Sequence, residues 1–112
     1  MEKVDYIVIH STETQGDLKV TNSYKTDFHY LIGIYGECWG GKKEPVIEDG
    51  VNYIHVGYVG GLDRLENIKD TRTRKQKQTM WFLMKELTRK YEGVKIIGSP
   101  GFNAEEEYKN IV

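Results

Sequence analysis

Hydrophobic positions fall into short runs in the first half of the chain and into a helical spacing in the second. Tyr6-Ile7-Val8-Ile9-His10 is the first run, bounded by the polar Ser11-Thr12-Glu13-Thr14. β-branched and aromatic residues so bounded predict a strand, and apolar residues on both of its faces predict a central one. A period of two sets Tyr6, Val8 and His10 on one face and Ile7 and Ile9 on the other. Residues 15–26 are polar and weakly patterned, and predict no more than a short helix or a loop. Residues 28–35 predict a second strand, after which Gly36 and the Gly40-Gly41 pair break the chain around Cys38 and Trp39. A polar connector over 42–50 has room for a short strand at Val46-Ile47. Residues 53–59 predict the third clear strand, closed by Gly60-Gly61.

Beyond a charged loop over 62–72, Thr73 opens the one long helix. Gln76 stands three residues on and completes a capping box. Met80, Leu83, Met84, Leu87 and Tyr91 follow helical spacing and form its core face. Trp81 and Phe82 widen the apolar surface beyond one stripe, toward a second sheet layer or an oligomer contact. Gly93 stands where a helix ends, and residues 94–97 predict a last short strand. Asn103 with Glu106 predicts a second capping box and a brief terminal helix. The expected fold is α/β: a single mixed sheet of four or five strands, packed by one long helix and one or two short ones. One domain over 1–112 is expected.

Composition narrows the picture. A chain of 112 residues, 38% hydrophobic, buries roughly 65% of its unfolded surface, enough for one core. The net charge of −1 argues against a nucleic-acid polymer as partner, which needs a basic surplus. No apolar run reaches the ~20 residues of a membrane span. Met1-Glu2-Lys3 leads into a strand and not a signal peptide, and the single Cys38 favours a reducing compartment. A cytoplasmic protein is the expectation.

The candidate chemistry is sparse. Three histidines and one cysteine leave little for a metal site, and no His-x-x-x-His or Cys-x-x-Cys spacing is present. His29 and His55 read as hydrogen-bonded sheet histidines. His10 ends an apolar strand at its carboxyl end, where open α/β sheets place ligands, and its imidazole can hydrogen-bond a ligand carbonyl or phosphate. Tyr24, Phe28, Tyr30, Tyr35, Trp39, Tyr53 and Tyr58 lie in or beside the strands. Such rings suit sugars or nucleobases, though sheet propensity explains most of them. Trp39, in its Gly-rich loop, is the candidate lid. From Arg64 to Lys77 six basic residues, Arg72 and Arg74 among them, face two acidic ones, an asymmetry that suits a phosphate or an acidic partner surface.

Five segments resemble the zinc-dependent N-acetylmuramoyl-L-alanine amidases of type 2, relatives of the peptidoglycan recognition proteins. They are Ile7-Val8-Ile9-His10-Ser11-Thr12, Phe28-His29-Tyr30-Leu31-Ile32, Val56-Gly57-Tyr58-Val59-Gly60-Gly61, Asp70-Thr71-Arg72-Thr73 with Gln76 and the long helix, and Ser99-Pro100-Gly101-Phe102. The resemblance implies an amidase-like fold with a groove over the sheet. A catalytic zinc needs three protein ligands and one open position, and the family supplies two histidines and a cysteine or aspartate. Here His10 is the one zinc-ligand position that survives. Ser99 stands where the cysteine would be, a poor ligand at neutral pH, and the segment carrying the second histidine is missing after Gly98. Phe28 takes the place of the family tyrosine that hydrogen-bonds the oxyanion. His29 is expected to face away from Phe28.

The resemblance therefore implies a catalytically inactive amidase-fold protein that holds a small ligand, muropeptide-like or a nucleotide signal as in phage counter-defence. His10, Thr12, Phe28, Trp39, Tyr58, Arg72, Arg74 and Ser99 are the expected ligand-binding residues, with no catalytic set and no cofactor, zinc being the one left open. The alternatives are an active zinc-dependent peptidoglycan amidase, and an oligomeric interaction protein without a small ligand. A homo-oligomer is possible in either case; no membrane partner is expected.

Overall fold

Strand β1 (Tyr6–Ser11) lies between two others, as its run of β-branched and aromatic residues predicts. The computed structural model describes residues 3–15, 27–40, 45–98 and 102–111; Tyr24 and Ser99 lie outside them. In it β1 pairs in parallel with β5 (Val51–Tyr58) on one side and with β6 (Lys95–Gly98) on the other. β2 (Tyr30–Ile32) joins the upper half of β5 in parallel and carries β3 (Cys38–Gly40) antiparallel on its outer edge. β4 (Val46–Glu48) pairs antiparallel with the lower half of β5. The result is one mixed six-stranded sheet in the order β3-β2-β5-β1-β6, with β4 beside β5.

The expected mixed α/β sheet is present with six strands in place of four or five. The added strand is β3, where the glycines around Cys38 and Trp39 suggested an open loop. The β2–β3 connection folds back tightly: Gly33 N–H donates to Glu37 O at 2.8 Å, and Gly36 takes φ 86°. The second strand is correspondingly shorter than 28–35. At the β4–β5 hairpin, Asp49 and Gly50 take φ 50° and 78°, the signature of a two-residue type I′ turn that matches the strand twist.

Helix α1 (Arg74–Lys90) begins at the predicted capping box. Thr73 Oγ1 accepts from Gln76 N–H, and Gln76 Oε1 accepts from Thr73 N–H at 2.8 Å. The same Gln76, fully buried, turns its Nε2 to the Val59 carbonyl at 2.9 Å and the Ile32 carbonyl at 3.4 Å. One side chain thus caps the helix and ties it to the ends of two strands. Met80, Met84 and Leu87 then pack on Ile7, Ile9, Ile54 and Val56. α2 (Ala104–Glu107) follows β6. Only half of its expected capping box forms: Asn103 accepts from Glu106 N–H, while the Glu106 carboxylate pairs with Lys109. Among the described residues, no helix is long and apolar enough to cross a membrane.

Arg72 locks these pieces together. Its side chain has no exposed surface, and its Nε and Nη2 donate to both oxygens of Asp70 at 2.9 Å. Nη1 and Nη2 donate to Glu107 on α2 at 2.9 and 2.7 Å, and the guanidinium lies 3.8 Å from the centre of the Phe102 ring. Burial opposes its charge, but the hydrogen bonds and charges of Glu107 and Asp70 outweigh burial and hold it protonated. In return Arg72 lowers the pKa of Glu107. For Asp70 burial works upward, and the bonds and charge of Arg72 prevail to lower it.

Removing one partner of such a pair strands buried charge. Arg72→Met is expected to cost about 3 kcal/mol or more, a fall in Tm on the order of 10 °C. The exposed neighbour change Arg74→Met should stay within about 0.5 kcal/mol. Because the folded pKa values of Asp70 and Glu107 lie below their unfolded ones, their stabilising effect is complete above the unfolded values near 4. It is lost as pH falls through the folded values. Denaturation followed across that acid range should show a shallower loss for Glu107→Gln than for the parent chain.

Candidate functional site

Strand pairing carries the period of two across the sheet. Paired residues share a face, so Val8 with His55, and His10 with Gly57, Leu31 and Trp39, lie on the side away from α1. On this side Tyr6, Val8, His10, Tyr53, His55 and Ile97 all keep partial exposure. On the other, Ile7, Ile9, Ile54 and Val56 have almost none. The half-exposed face is the candidate site.

Its centre is a histidine pair. His10 Nε2 and His55 Nδ1 are 2.9 Å apart, so one imidazole donates and the other accepts. His55 Nε2 lies 3.9 Å from Glu48 Oε1. The arrangement that serves both contacts protonates His55 on Nε2 and makes His10 the donor to its Nδ1. Burial first, and then repulsion between the two imidazoles when both would be protonated, lowers the pKa of His10 and favours its neutral form. His29 is fully covered beside the pair, its Nδ1 accepting the backbone N–H of His55 at 2.9 Å. This is the hydrogen-bonded sheet histidine the sequence suggested.

Rings continue outward from the pair. His55 stacks on Tyr53 with centroids 5.9 Å apart, and Tyr53 on Tyr6 at 5.7 Å. On the other side the Phe28 ring lies 6.0 Å from His10 and directly over Gly57, where a β-carbon would stand 2.8 Å from it. A glycine is required there because the ring occupies the side-chain space. Phe28 and His29 therefore lie on the same face of the sheet; the expectation that they point apart fails because residue 28 precedes the strand and escapes its alternation.

The other expected site residues divide. Thr12 stands beside the pair at the strand ends, but its hydroxyl accepts from Gly60 N–H at 3.0 Å and meets Thr14 Oγ1 at 2.9 Å, holding the Gly60-Gly61 turn in place. Trp39 shares the row of His10, yet it is a strand residue whose ring packs on Gly33, not a loop lid. Tyr58 is a correction: it is 2% exposed on the core face, and burial pushes its hydroxyl pKa up to about 12. Tyr30, one register step away, also faces the core cluster, and Tyr35 is exposed in the turn. Arg72 is a second correction, fully engaged in its ion cluster, and Arg74 is exposed at the start of α1, across the sheet from His10. Ser99 lies outside the described residues. His55 is the residue that sequence reading passed over as a site component; its signal was register, since His55 and His10 come together only once β1 and β5 are aligned.

The donors among the described residues do not make up the three-ligand zinc set of the amidases that the sequence resembles. Among the described residues no group of three or more His, Cys, Asp or Glu side chains is placed to hold a metal ion. His10 and His55 are two donors, His29 is turned to backbone, and Cys38 is on the opposite face by register.

No protein-family model and no curated protein sequence matches the chain. Solved structures do. Bumblebee PGRP-SA superposes with a TM-score of 0.66 at 18% identity, over 98% of this chain and 83% of that one. PGRP-SA of Apis mellifera gives 0.65 at 22% identity, over 98% and 84%. Both are peptidoglycan recognition proteins, and the chain has their amidase-like fold.

The contact of Phe28 with Gly57 is directly testable. Gly57→Ala should cost about 1–3 kcal/mol by overpacking, and much less in a Phe28→Ala background. Equal costs in the two backgrounds, read by chemical denaturation of all four proteins, would show that the ring does not rest there.

Proposed function

We propose that this chain is a binding protein on the amidase-like fold that holds a muropeptide-like ligand on the half-exposed sheet face without cleaving it. The observation that carries this reading is the histidine pair. Hydrolysis by the family's route needs a metal with three protein ligands and an open position. Here the surviving ligand-position histidine has its Nε2 against another imidazole, and the phenyl ring of Phe28 brings no hydroxyl to an oxyanion. What is left is recognition chemistry. A neutral imidazole offers one hydrogen-bonding nitrogen to a ligand amide, and the flanking rings offer flat apolar surface to the faces of a sugar. The peptidoglycan recognition proteins that share the fold support a cell-wall fragment as the first ligand class to test.

A second class has one specific support. The row Tyr6-Tyr53-His55 is stacked, and a nucleobase can extend such a row by stacking on its end ring. A nucleotide ligand is the alternative on the same face.

Calorimetry against a muramyl dipeptide and a cyclic dinucleotide separates the two. The muropeptide is expected to bind, and His10→Ala and Phe28→Ala each to weaken it at least tenfold. No amide cleavage is expected by chromatography with zinc added. Cleavage that disappears in His10→Ala would overturn the non-catalytic reading, and silence from both ligands would overturn binding altogether.

A further inference from the structure

The outer surface of α1 carries chemistry that neither the core nor the sheet face uses. Its 17 residues hold six cations and one anion, Glu86, so the helix is strongly positive within a chain of net charge −1. No acidic residue stands in its first turn, where cations oppose the helix dipole. Among the described residues, no carboxylate forms an ion pair with Arg74, Lys75, Lys77, Lys85 or Arg89. Arg89 and Lys90 in the last turn suit the helix dipole, but the dipole gives no reason for Arg74, Lys75 and Lys77 at the other end.

Two large apolar side chains sit among them. Phe82 is 65% exposed and Trp81 40%, and the helical repeat surrounds Phe82 with Gln78, Thr79, Lys85 and Glu86, with Lys75 and Arg89 two turns away on the same side. Trp81 stacks on Tyr108 at 6.0 Å. It forms the wall of a groove of about 380 Å³ whose other sides are Lys85, Thr88, Arg89, Asn110 and Ile111. The groove has an apolar floor and a cationic rim.

We propose that this face docks an acidic segment of another protein, a stretch of Asp and Glu with one apolar side chain seated beside Trp81. Three alternatives fit less well. A second copy related by a two-fold axis would set Lys85 and Arg89 against their own equivalents, a like-charge contact. A membrane surface needs a continuous apolar helix face, and that of α1 is already buried on the sheet. A nucleic-acid backbone would use the cations but not the apolar groove, and the chain as a whole is weakly acidic.

The test uses the full chain, isotope-labelled, titrated with a short synthetic peptide of Asp and Glu around a single Leu. Backbone resonances of α1 and of 108–111 are expected to shift, with an affinity that falls as salt rises. The exposed double change Lys85→Glu with Arg89→Glu should weaken binding at least tenfold while the sheet resonances stay in place. The proposal is overturned if the shifts lie elsewhere, or if the same peptide without its Leu binds as tightly. It is equally overturned if anionic vesicles or a short DNA duplex perturb α1 more strongly, or if α1 resonances move with protein concentration alone.

Discussion

One buried positive charge joins the loop before α1 to the terminal segment of the chain. Arg72 sits at the end of the loop that leads into α1, faces Asp70 from that loop, and reaches Glu107 on the last helix. A guanidinium can do this because it presents five donors in a plane, enough for two carboxylates at once, and an apolar face for the Phe102 ring. The charge is costly to bury alone and tolerable only with both partners. The terminal segment, whose own helix is a single turn, is therefore held less by its helical propensity than by this ion cluster. β6 depends on it in turn, because α2 packs against that edge strand.

With the helix side fixed in this way, the two faces of the sheet take opposite characters. Ile7 and Ile9 on one face of β1 disappear beneath α1, while Tyr6, Val8 and His10 on the other keep contact with solvent. Stability and recognition are thus assigned to alternate residues of one strand. Gln76 and Thr12 mark the boundary: each uses a polar side chain to fix the carboxyl ends of the strands, where the backbone would otherwise lack partners.

Much of this was legible. The alternation in β1, the capping box of Thr73 and Gln76, and the core stripe of Met80, Met84 and Leu87 are local patterns, and each element stands where its pattern predicts. Asp49-Gly50 is a type I′ turn dipeptide, passed over at the sequence level as part of a polar connector. The period of two in β5 already sets Tyr58 with Ile54 and Val56, a local signal that the groove assignment from the resemblance overrode. The rest depends on register. Nothing near His55 says that it meets His10, a contact between strands 45 residues apart. Arg72 misled for a related reason: a charge in a basic stretch reads as solvated, and its two partners, one of them 35 residues away, appear only in the fold.

The position of β1 also bears on how the chain comes off the ribosome. Its two neighbours are β5 and β6, so one of its edges waits for a strand made much later in synthesis. At bacterial or eukaryotic rates of synthesis the interval between them is roughly 4 to 18 s, far longer than the microseconds in which the β4–β5 hairpin can close. Throughout that time an apolar, β-branched strand waits with an open edge. An open edge of this kind is a template for wrong pairing, so whatever occupies the edge or shortens the wait favours the native partner.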